Sequence, residues 1–345
     1  MTYEPVLEVL RGGRVESIHY GAVAVADPAG RLVAWAGDGD IATYLRSSAK
    51  PFQALPLVES GAAEALGLSM DQLAVVCASH TGTPRHIEVI ESIQRAAGID
   101  ESELKCGSHF PYDAAEARRL RESGEAPRVN HNNCSGKHTG MLALARHLAA
   151  PTVDYLDPEH PVQRRIRRAL AEMSGLEVDE VGIGVDGCSA PNFALPLRSA
   201  ATAFARLADP AELHEVRRDA CRRIFEAMAG WPALVAGPGT FDTRLIEEGQ
   251  GRWIAKGGAE GFHAVGLRPG AAGPGSSALG LAVKIADGDA ARRALTPVVL
   301  AVLGALGVTW PEDSALLREF GPRPVRNWRE REVGETRPVV QLRRA

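Results

Sequence analysis

RSSAKP, residues 46–51, places Ser47 and Lys50 three positions apart. In a helix, side chains at this spacing share one face, so the hydroxyl and the amine lie one turn from each other. Pro51 fits the first helical turn, where its missing N–H costs nothing, and this predicts a helix start near Ser47. Free N–H groups at a helix start favour a developing negative charge. The stretch therefore predicts either a serine–lysine nucleophile pair or an ordinary solvated helix start.

The segments on both sides of this stretch contain strand and helix signals. Residues 17–26 and 31–36 are apolar runs joined by the turn signal DPAG, which predicts an antiparallel hairpin. Further along the chain, most apolar residues recur at helical spacing. The predicted helices are 52–65, 84–97, 137–149, 161–174, 195–207, 211–229 and 289–306. The later predicted strands are 181–185, 244–247, 252–256, 262–267 and 279–286.

The order of these elements predicts an α+β sandwich. Its antiparallel sheet is built from both chain ends, at about 1–50 and 240–345, and helices cover the faces of the sheet. The middle of the chain, about 51–239, is mostly helical. No repeat and no long polar linker interrupts the chain, so we expect a single catalytic unit over residues 1–345.

Composition indicates a globular protein that binds neither nucleic acid nor a membrane. Of the 345 residues, 45% are hydrophobic and 24% are charged, and the formal net charge of -4 gives no electrostatic attraction to either partner. The five cysteines are an odd number without regular spacing, which argues against a disulfide framework. The N-terminus lacks a signal-peptide pattern, and the longest apolar run, 298–308, is too short to span a bilayer. We therefore expect a cytoplasmic location.

Two other polar residues are candidates for catalysis. Ser79 follows an apolar run, and Lys256 ends a predicted strand just before Gly257 and Gly258, where missing side chains let a ligand approach the backbone. The ordinary alternatives are a turn-forming hydroxyl for Ser79 and a surface lysine for Lys256. A lysine acts as a base only when its amine is neutral, and the apolar neighbours of Lys50 favour its burial.

A separate group of residues has the chemistry of metal ligands. Its members are His131, Cys134, Lys137, His138, Asp186 and Cys188. Their spacing is not that of a zinc finger, but two converging cysteines can hold zinc with a lysine or water completing the site. The alternative is that both cysteines are small buried hydrophobic residues. We reject a phosphate-binding loop at GKHT, because the required upstream glycine is His131 and the hydroxyl position is His138.

Five strings in succession resemble the signatures of the bacterial asparaginase II family, the rhizobial type of L-asparaginase. They are RSSAKPFQALPLVESGA (46–62), ASHTGTPRHI (78–87), NHNNCSGKHTGML (130–142), GVDGCSAPNFALPL (184–197) and AKGGAEG (255–261). The resemblance runs from about residue 46 to 281 and so covers most of the chain. It implies a fold similar to serine β-lactamases and glutaminases, with Ser-x-x-Lys at a helix start and a later strand lysine beside glycines.

The resemblance also implies roles for individual residues. The catalytic residues form two serine–lysine pairs, Ser47 with Lys50 and Ser79 with Lys256. A zinc site beside the substrate pocket is made by Cys134, Lys137 and Cys188. The residues that we expect to bind substrate are Arg46, His80, Asp186 and Gly257. A homodimer is implied as well.

These roles predict hydrolysis of L-asparagine to L-aspartate and ammonia. Ser47 is the expected nucleophile, because Ser48 faces about 100° away from Lys50 on a helix, while Ser79 remains a second candidate. Zinc is expected to modulate substrate binding, and no organic cofactor is expected. The alternatives are a glutaminase or another serine acyl-transfer hydrolase of the same fold, and a non-enzymatic amino-acid-binding protein.

Overall fold

The computed structural model describes residues 2–345. The strands are β1 (Glu4–Arg11), β2 (Arg14–Ala26), β3 (Leu32–Ala36), β4 (Ala42–Tyr44), β5 (Gly182–Val185), β6 (Pro191–Pro196), β7 (Trp253–Gly257), β8 (Phe262–Leu267), β9 (Leu279–Ile285), β10 (Pro324–Arg326), β11 (Glu332–Pro338) and β12 (Arg343–Arg344). The first helices are α1 (Lys50–Glu59), α2 (Ala62–Ala65), α3 (Met70–Val76), α4 (Pro84–Ala97), α5 (Ala114–Ser123), α6 (Ser135–His147) and α7 (Pro161–Ser174). The later helices are α8 (Leu197–Ala208), α9 (Glu215–Gly230), α10 (Pro232–Val235), α11 (Phe241–Gly249), α12 (Leu295–Ala305) and α13 (Ala315–Phe320). Short 3-10 helices cover Arg46–Ala49, Glu101–Glu103, Val129–His131 and Val178–Glu180.

The described chain forms two compact units. The first contains the chain up to Ser48, Leu195–Asp209 and Arg252–Ala345. The second contains Ala49–Ala194 and Pro210–Gly251. The first unit holds the main sheet, and the second holds most of the helices. That both belong to a single catalytic unit stays a prediction.

The main sheet of the first unit is built from both ends of the chain. Its strand order is β10-β11-β1-β2-β9-β8-β7, with β3 beside β2 and β12 beside β3. Neighbouring strands run antiparallel, and β2 from the beginning of the chain pairs with β9 from its C-terminal part. This topology confirms the predicted α+β architecture, in which an antiparallel sheet combines the two chain ends.

Helix α8 packs directly on this sheet, against β2, β8 and β9. The close approach is possible because two glycines face the helix backbone. A Cβ atom at Gly280 would overlap the carbonyl oxygen of Ala201, and one at Gly266 would lie 2.6 Å from the carbonyl oxygen of Phe204. The absence of a side chain at Gly266 and Gly280 therefore allows α8 to lie this close to the sheet. The sequence analysis placed this helix in the helical middle, whereas the structure packs it on the sheet.

Gly280→Ala is expected to lower the free energy of unfolding by about 1–3 kcal/mol, because the added methyl group forces α8 away from the sheet. Gly304→Ala is the matched control, since this exposed glycine of α12 has no atom closer than 4.0 Å to an added Cβ. Replacing glycine by alanine inside a helix is expected to raise stability by about 0.5–1 kcal/mol. Urea unfolding of both variants beside the wild type measures the two effects. Equal stabilities for all three proteins would refute this packing account.

In the second unit, α1 lies against α6, α7 and α9. Eight consecutive residues of α1, from Lys50 to Leu57, are buried. Helices α3 and α6 also approach closely, because a Cβ at Gly136 would overlap the backbone of Val75. This contact brings the end of α3, which leads to Ser79, next to the beginning of α6.

Among the elements predicted after residue 240, two differ markedly from the structure. The predicted strand 244–247 is wrong, because these residues belong to α11, whose Leu245 and Ile246 are buried on one helix face. The predicted helix 289–306 begins only at α12. The carboxylate of Asp289 accepts the backbone N–H groups of three residues just before and at the start of this helix, which are Arg293, Ala294 and Leu295.

Two features bear on the composition analysis. The cysteines are buried free thiols, and they are Cys77, Cys106, Cys134, Cys188 and Cys221. Over residues 2–345, no helix combines the length and the apolar character needed to cross a membrane.

Candidate active site

The RSSAKP stretch forms a 3-10 helix, Arg46–Ala49, that continues into α1 at Lys50. This confirms the predicted helix start. Arg46 has a φ of +50°, which is uncommon for a residue with a side chain and is typical of functional turns. Its guanidinium lies 4.0 Å from the carboxylate of Glu260. Ser47 follows in the next position and is half-buried.

The neighbouring Ser48 is fully buried and has a structural contact. Its hydroxyl donates to the backbone carbonyl of Lys256 over 2.6 Å. A Cβ at Gly258 would lie 2.5 Å from the carbonyl oxygen of Leu45, so glycine permits this close contact between the 3-10 helix and the end of β7. Lys256 itself is only 1% exposed and donates to the carbonyl of Gly257 over 2.9 Å. This excludes the surface-lysine alternative for Lys256.

Within the second unit, the amine of Lys50 contacts three oxygen acceptors. The Nζ atom lies 2.5 Å from the carbonyl oxygen of Ala78, 2.9 Å from the hydroxyl of Ser79 and 3.2 Å from the carbonyl oxygen of Asn133. Lys50 is 1% exposed, and its amine is also hydrogen-bonded to the thiol of Cys134. The sequence analysis assigned Lys50 and Ser79 to different pairs, whereas the structure brings the two side chains together.

His80 lies behind Ser79 and is fully buried. Its Nε2 atom is 2.9 Å from the hydroxyl of Ser135, which in turn donates to the carbonyl of Asn130. Burial, with a smaller contribution from the neighbouring His86, holds the pKa of His80 well below its usual range. His80 is therefore a neutral, internally bonded histidine, and its ring supports the turn that carries Ser79.

The predicted zinc ligands converge at the beginning of α6. The amine of Lys137 donates to the Cys188 sulfur over 3.0 Å, and Cys188 is hydrogen-bonded to Cys134. This hydrogen bond lowers the pKa of Cys134. Burial opposes the positive charge of Lys137, but the sulfurs of Cys134 and Cys188 outweigh this effect and raise the pKa of the Lys137 amine. Asp186 precedes Cys188 by two residues and accepts the backbone N–H of Gly187 over 2.8 Å.

The donor chemistry of this cluster fits zinc. The thiols of Cys134 and Cys188 are soft ligands of the kind that zinc prefers. With the amine of Lys137 they would make three protein ligands, which leaves a fourth position for water. Within residues 2–345, no group of three or more histidine, cysteine and acidic side chains is arranged around a metal position. A zinc site at this position would therefore have to use the lysine as its third protein ligand. Binding would require the ammonium and both thiols to lose their protons.

A sequence model described as L-asparaginase II matches residues 7–338. The chain belongs to the L-asparaginase II family. Membership of this family supports an amidohydrolase that acts on a small-molecule amide. None of the curated protein sequences compared with the chain matches it significantly.

Several solved structures are similar to this L-asparaginase II family member. A probable glutaminase from Bacillus subtilis, complexed with 6-diazo-5-oxo-L-norleucine, is 14% identical over 89% of this chain and 86% of its own, with a TM-score of 0.38. A β-lactamase from Burkholderia ambifaria is 17% identical over 85% and 96%, with a TM-score of 0.40. A Bacillus glutaminase crystallised in the presence of 4.3 M NaCl is 15% identical over 84% and 92%, with a TM-score of 0.36. Because these scores are below 0.5, the family assignment rests on the family match alone.

The sequence analysis missed two backbone acceptors of the Lys50 amine. The carbonyls of Ala78 and Asn133 carry no residue-type signal, because any residue supplies the same group. The sequence analysis also missed the hydrogen bond from the Ser48 hydroxyl to the carbonyl of Lys256, although it expected Ser48 to face away from Lys50.

The buried His86 of this family member predicts a loss of stability in mild acid. Burial lowers the pKa of His86 to about 4. The unfolded chain takes up this proton near pH 6.5, so the stabilising effect is complete above about pH 6.5 and is lost as the pH falls towards 4. The expected loss is on the order of 2–3 kcal/mol in the free energy of unfolding. Urea unfolding at a series of pH values measures it.

His86→Asn provides the comparison for this experiment. The ring Nδ1 atom of His86 lies 2.6 Å from the hydroxyl of Thr83 at the start of α4, and the asparagine amide oxygen can take its place without titrating. We expect a flatter dependence of stability on pH in the variant. Parallel curves for the variant and the wild type would show that His86 does not cause the acid sensitivity.

Proposed function

We propose that this protein hydrolyses the side-chain amide of L-asparagine to L-aspartate and ammonia by serine–lysine nucleophilic catalysis. Family membership supports amide hydrolysis of a small molecule. The observation that carries the serine–lysine part is the contact of the buried Lys50 amine with the Ser79 hydroxyl at 2.9 Å. A buried lysine amine in direct contact with a serine hydroxyl supports the role of a general base.

The two carbonyls that contact Lys50 support this role. A neutral amine has two N–H bonds and one lone pair. If the N–H bonds are directed to the carbonyls of Ala78 and Asn133, the lone pair faces the hydroxyl of Ser79. The amine can then accept a proton from Ser79 without rotating, whereas it has to turn before it accepts one from Ser47.

Ser47 is the proposed nucleophile. Lys50 removes the proton of the Ser47 hydroxyl while its oxygen attacks the amide carbon of the substrate, which gives a tetrahedral oxyanion and an ammonium on Lys50. Spacing on one helical segment supports the pairing of Ser47 with Lys50. The buried hydroxyl of Ser48, which donates to Lys256, supports Ser47 over its neighbour.

Collapse of the oxyanion breaks the C–N bond and leaves an aspartyl ester on Ser47. The departing nitrogen receives the proton of the Lys50 ammonium and leaves as ammonia, which regenerates the neutral amine, and we assign the relay of this proton to Ser79 and Lys256. Water, activated by the regenerated base, then hydrolyses the ester and releases L-aspartate. Substrate-binding roles are proposed for Arg46, Asp186 and Gly257. Because His80 is fully buried, we place it behind Ser79 rather than in contact with substrate.

We propose that zinc, held by Cys134, Lys137 and Cys188, modulates substrate binding. A bound zinc ion supplies positive charge that attracts a carboxylate. Chelation is therefore expected to raise KM for L-asparagine several-fold and to leave kcat within about twofold of its original value. Steady-state kinetics after chelation, with elemental analysis to confirm removal of zinc, provides the measurement. Loss of kcat with the fold intact would show that zinc takes part in hydrolysis.

A coupled ammonia assay with L-asparagine and L-glutamine tests the function. The substrates differ by one methylene group, so we expect kcat/KM to favour L-asparagine by about 10–200-fold. Equal or better turnover of L-glutamine would identify a glutaminase instead. Binding of L-asparagine without ammonia release would identify an amino-acid-binding protein. The homodimer and the cytoplasmic location stay predictions of the sequence.

A further inference from the structure

The loop formed by residues 106–113 is fixed to the segments that carry the candidate catalytic and metal-binding residues. At one end, the amide of Asn132 donates to the carbonyl of Cys106 over 2.9 Å. At the other end, the backbone N–H of Asp113 donates to the carbonyl of Thr81 over 2.8 Å. The 106–113 loop therefore lies beside both the Ser79 turn and the beginning of α6.

His109 occupies the middle of the 106–113 loop and contacts backbone groups with both ring nitrogens. Its Nε2 atom accepts the backbone N–H of Asn133 over 3.2 Å, and its Nδ1 atom lies 2.7 Å from the carbonyl oxygen of Phe110. The first contact requires a lone pair on Nε2, so the hydrogen must be on Nδ1, where it is donated to Phe110. The two contacts fix one neutral tautomer of His109.

Asn133 is consequently held at both of its backbone groups. Its N–H donates to His109, and its carbonyl accepts from the amine of Lys50 over 3.2 Å. Rotation of the backbone at Asn133 would move this carbonyl away from Lys50. The ring of His109 restrains Asn133 from one side, because it binds the N–H of this residue. The peptide that carries the carbonyl is also restrained by the N–H of Cys134, which donates to the side-chain oxygen of Asn132 over 2.9 Å.

We propose that His109 is a positioning residue for Lys50, acting through the backbone of Asn133. This inference rests on the proposed function, in which Lys50 is the catalytic base. With the carbonyl of Asn133 in place, one N–H of the amine is directed and the lone pair faces Ser79. Without the acceptor on His109, Asn133 loses one of its restraints and its carbonyl is aimed less tightly at Lys50, so fewer encounters with substrate start from the productive orientation of the amine.

The 106–113 loop does not depend on His109 for its place in the fold. Pro111 is buried against Gly82, where an added Cβ would lie 2.8 Å from the proline ring. The guanidinium of Arg121 also covers the ring of Phe110, at 4.7 Å from its centre. Replacement of the half-buried His109 is therefore expected to change the orientation of Asn133 while the loop stays folded.

Two amide substitutions separate an acceptor role from a purely structural one. The amide oxygen of glutamine reaches the position of Nε2, so His109→Gln keeps an acceptor for Asn133. The shorter side chain in His109→Asn reaches only the position of Nδ1 and loses that acceptor. His147→Asn is the control, because this exposed histidine on α6 contacts only the carbonyl of Ser60 with its Nε2 atom. Each variant is assayed for ammonia release from L-asparagine, and its thermal unfolding is recorded.

We expect His109→Asn to lower kcat about tenfold to hundredfold, with KM within about twofold of wild type. His109→Gln and His147→Asn are expected to stay within about threefold of wild-type kcat. His109→Leu repeats the loss of the acceptor if His109→Asn does not fold. The proposal is overturned if His109→Asn is as active as His147→Asn, or if His109→Gln is as impaired as His109→Asn.

Lys50→Met in the same series distinguishes this inference from the proposed function. If Lys50→Met is inactive and His109→Asn is fully active, only the role of His109 is wrong. If Lys50→Met keeps wild-type activity, Lys50 is not the base and both proposals fail.

Discussion

Lys50→Met is expected to lower kcat/KM for L-asparagine by about 10²–10⁴-fold, because the variant has no group that can accept the proton of the attacking serine. Methionine has a similar unbranched stem, so the packing of α1 against its neighbours is largely kept. The amine also contacts Ser79, which the substitution leaves without its partner. The coupled ammonia assay measures the loss, and circular dichroism with thermal unfolding shows whether the fold is intact.

Lys284→Met is the matched control for this substitution. Lys284 is half-buried on β9 and donates to two backbone carbonyls, those of Glu260 and Ile285, each over 2.6 Å. It has no assigned role in catalysis, so activity close to wild type is expected. If both lysine variants lose activity equally, the loss reflects a general effect of removing a buried amine, and the assignment of Lys50 as the base loses its support.

Ser47→Ala is expected to remove activity to a similar extent, because no covalent ester can form. Ser48→Ala is the informative comparison, since the two serines are adjacent and chemically identical. The buried hydroxyl of Ser48 donates to the backbone carbonyl of Lys256. We therefore expect Ser48→Ala to lower the free energy of unfolding by about 1 kcal/mol and to lose much less activity than Ser47→Ala. Steady-state kinetics and urea unfolding of both variants measure these effects.

The opposite pattern would contradict the assignment of Ser47. An inactive Ser48→Ala beside an active Ser47→Ala would identify Ser48 as the nucleophile. Activity in both variants would move the nucleophile to Ser79, whose hydroxyl already contacts the amine of Lys50.

Elements with marked ends were predicted best from the sequence. The predicted helices 84–97 and 161–174 coincide with α4 and α7. Each begins with proline, which is preorganised for a first helical turn, and each is followed by a glycine with positive φ, Gly98 or Gly175. Local chemistry therefore defines both ends without help from the rest of the fold.

Elements that depend on distant contacts were predicted less well. The predicted helix 52–65 is divided into α1 and α2 at Gly61, which has a φ of +80°. The position of α8 on the sheet depends on the close approach allowed by Gly280, and periodicity alone does not show which layer a helix covers. By contrast, β1 was missed although it forms a local hairpin with β2 across the turn Gly12-Gly13, a signal that the sequence shows.

The candidate site shows the same division between local and distant information. Spacing alone placed Ser47 and Lys50 on one helical segment, and the observed helix start agrees with it. The contact between Lys50 and Ser79 joins residues 29 positions apart, and the spacing rules of a helix do not extend to such pairs. The convergence of Cys134 with Cys188 also depends on the fold, and only the family resemblance anticipated it.

Covalent trapping with L-asparagine analogues tests the central claim, nucleophilic attack by Ser47, most directly. The protein is incubated with a slow substrate or an electrophilic analogue of L-asparagine, digested and examined by mass spectrometry. Ser47→Ala and Ser79→Ala are treated in parallel. The account predicts an adduct on Ser47 in the wild type and in Ser79→Ala, and none in Ser47→Ala. An adduct on Ser79 with none on Ser47 would contradict it.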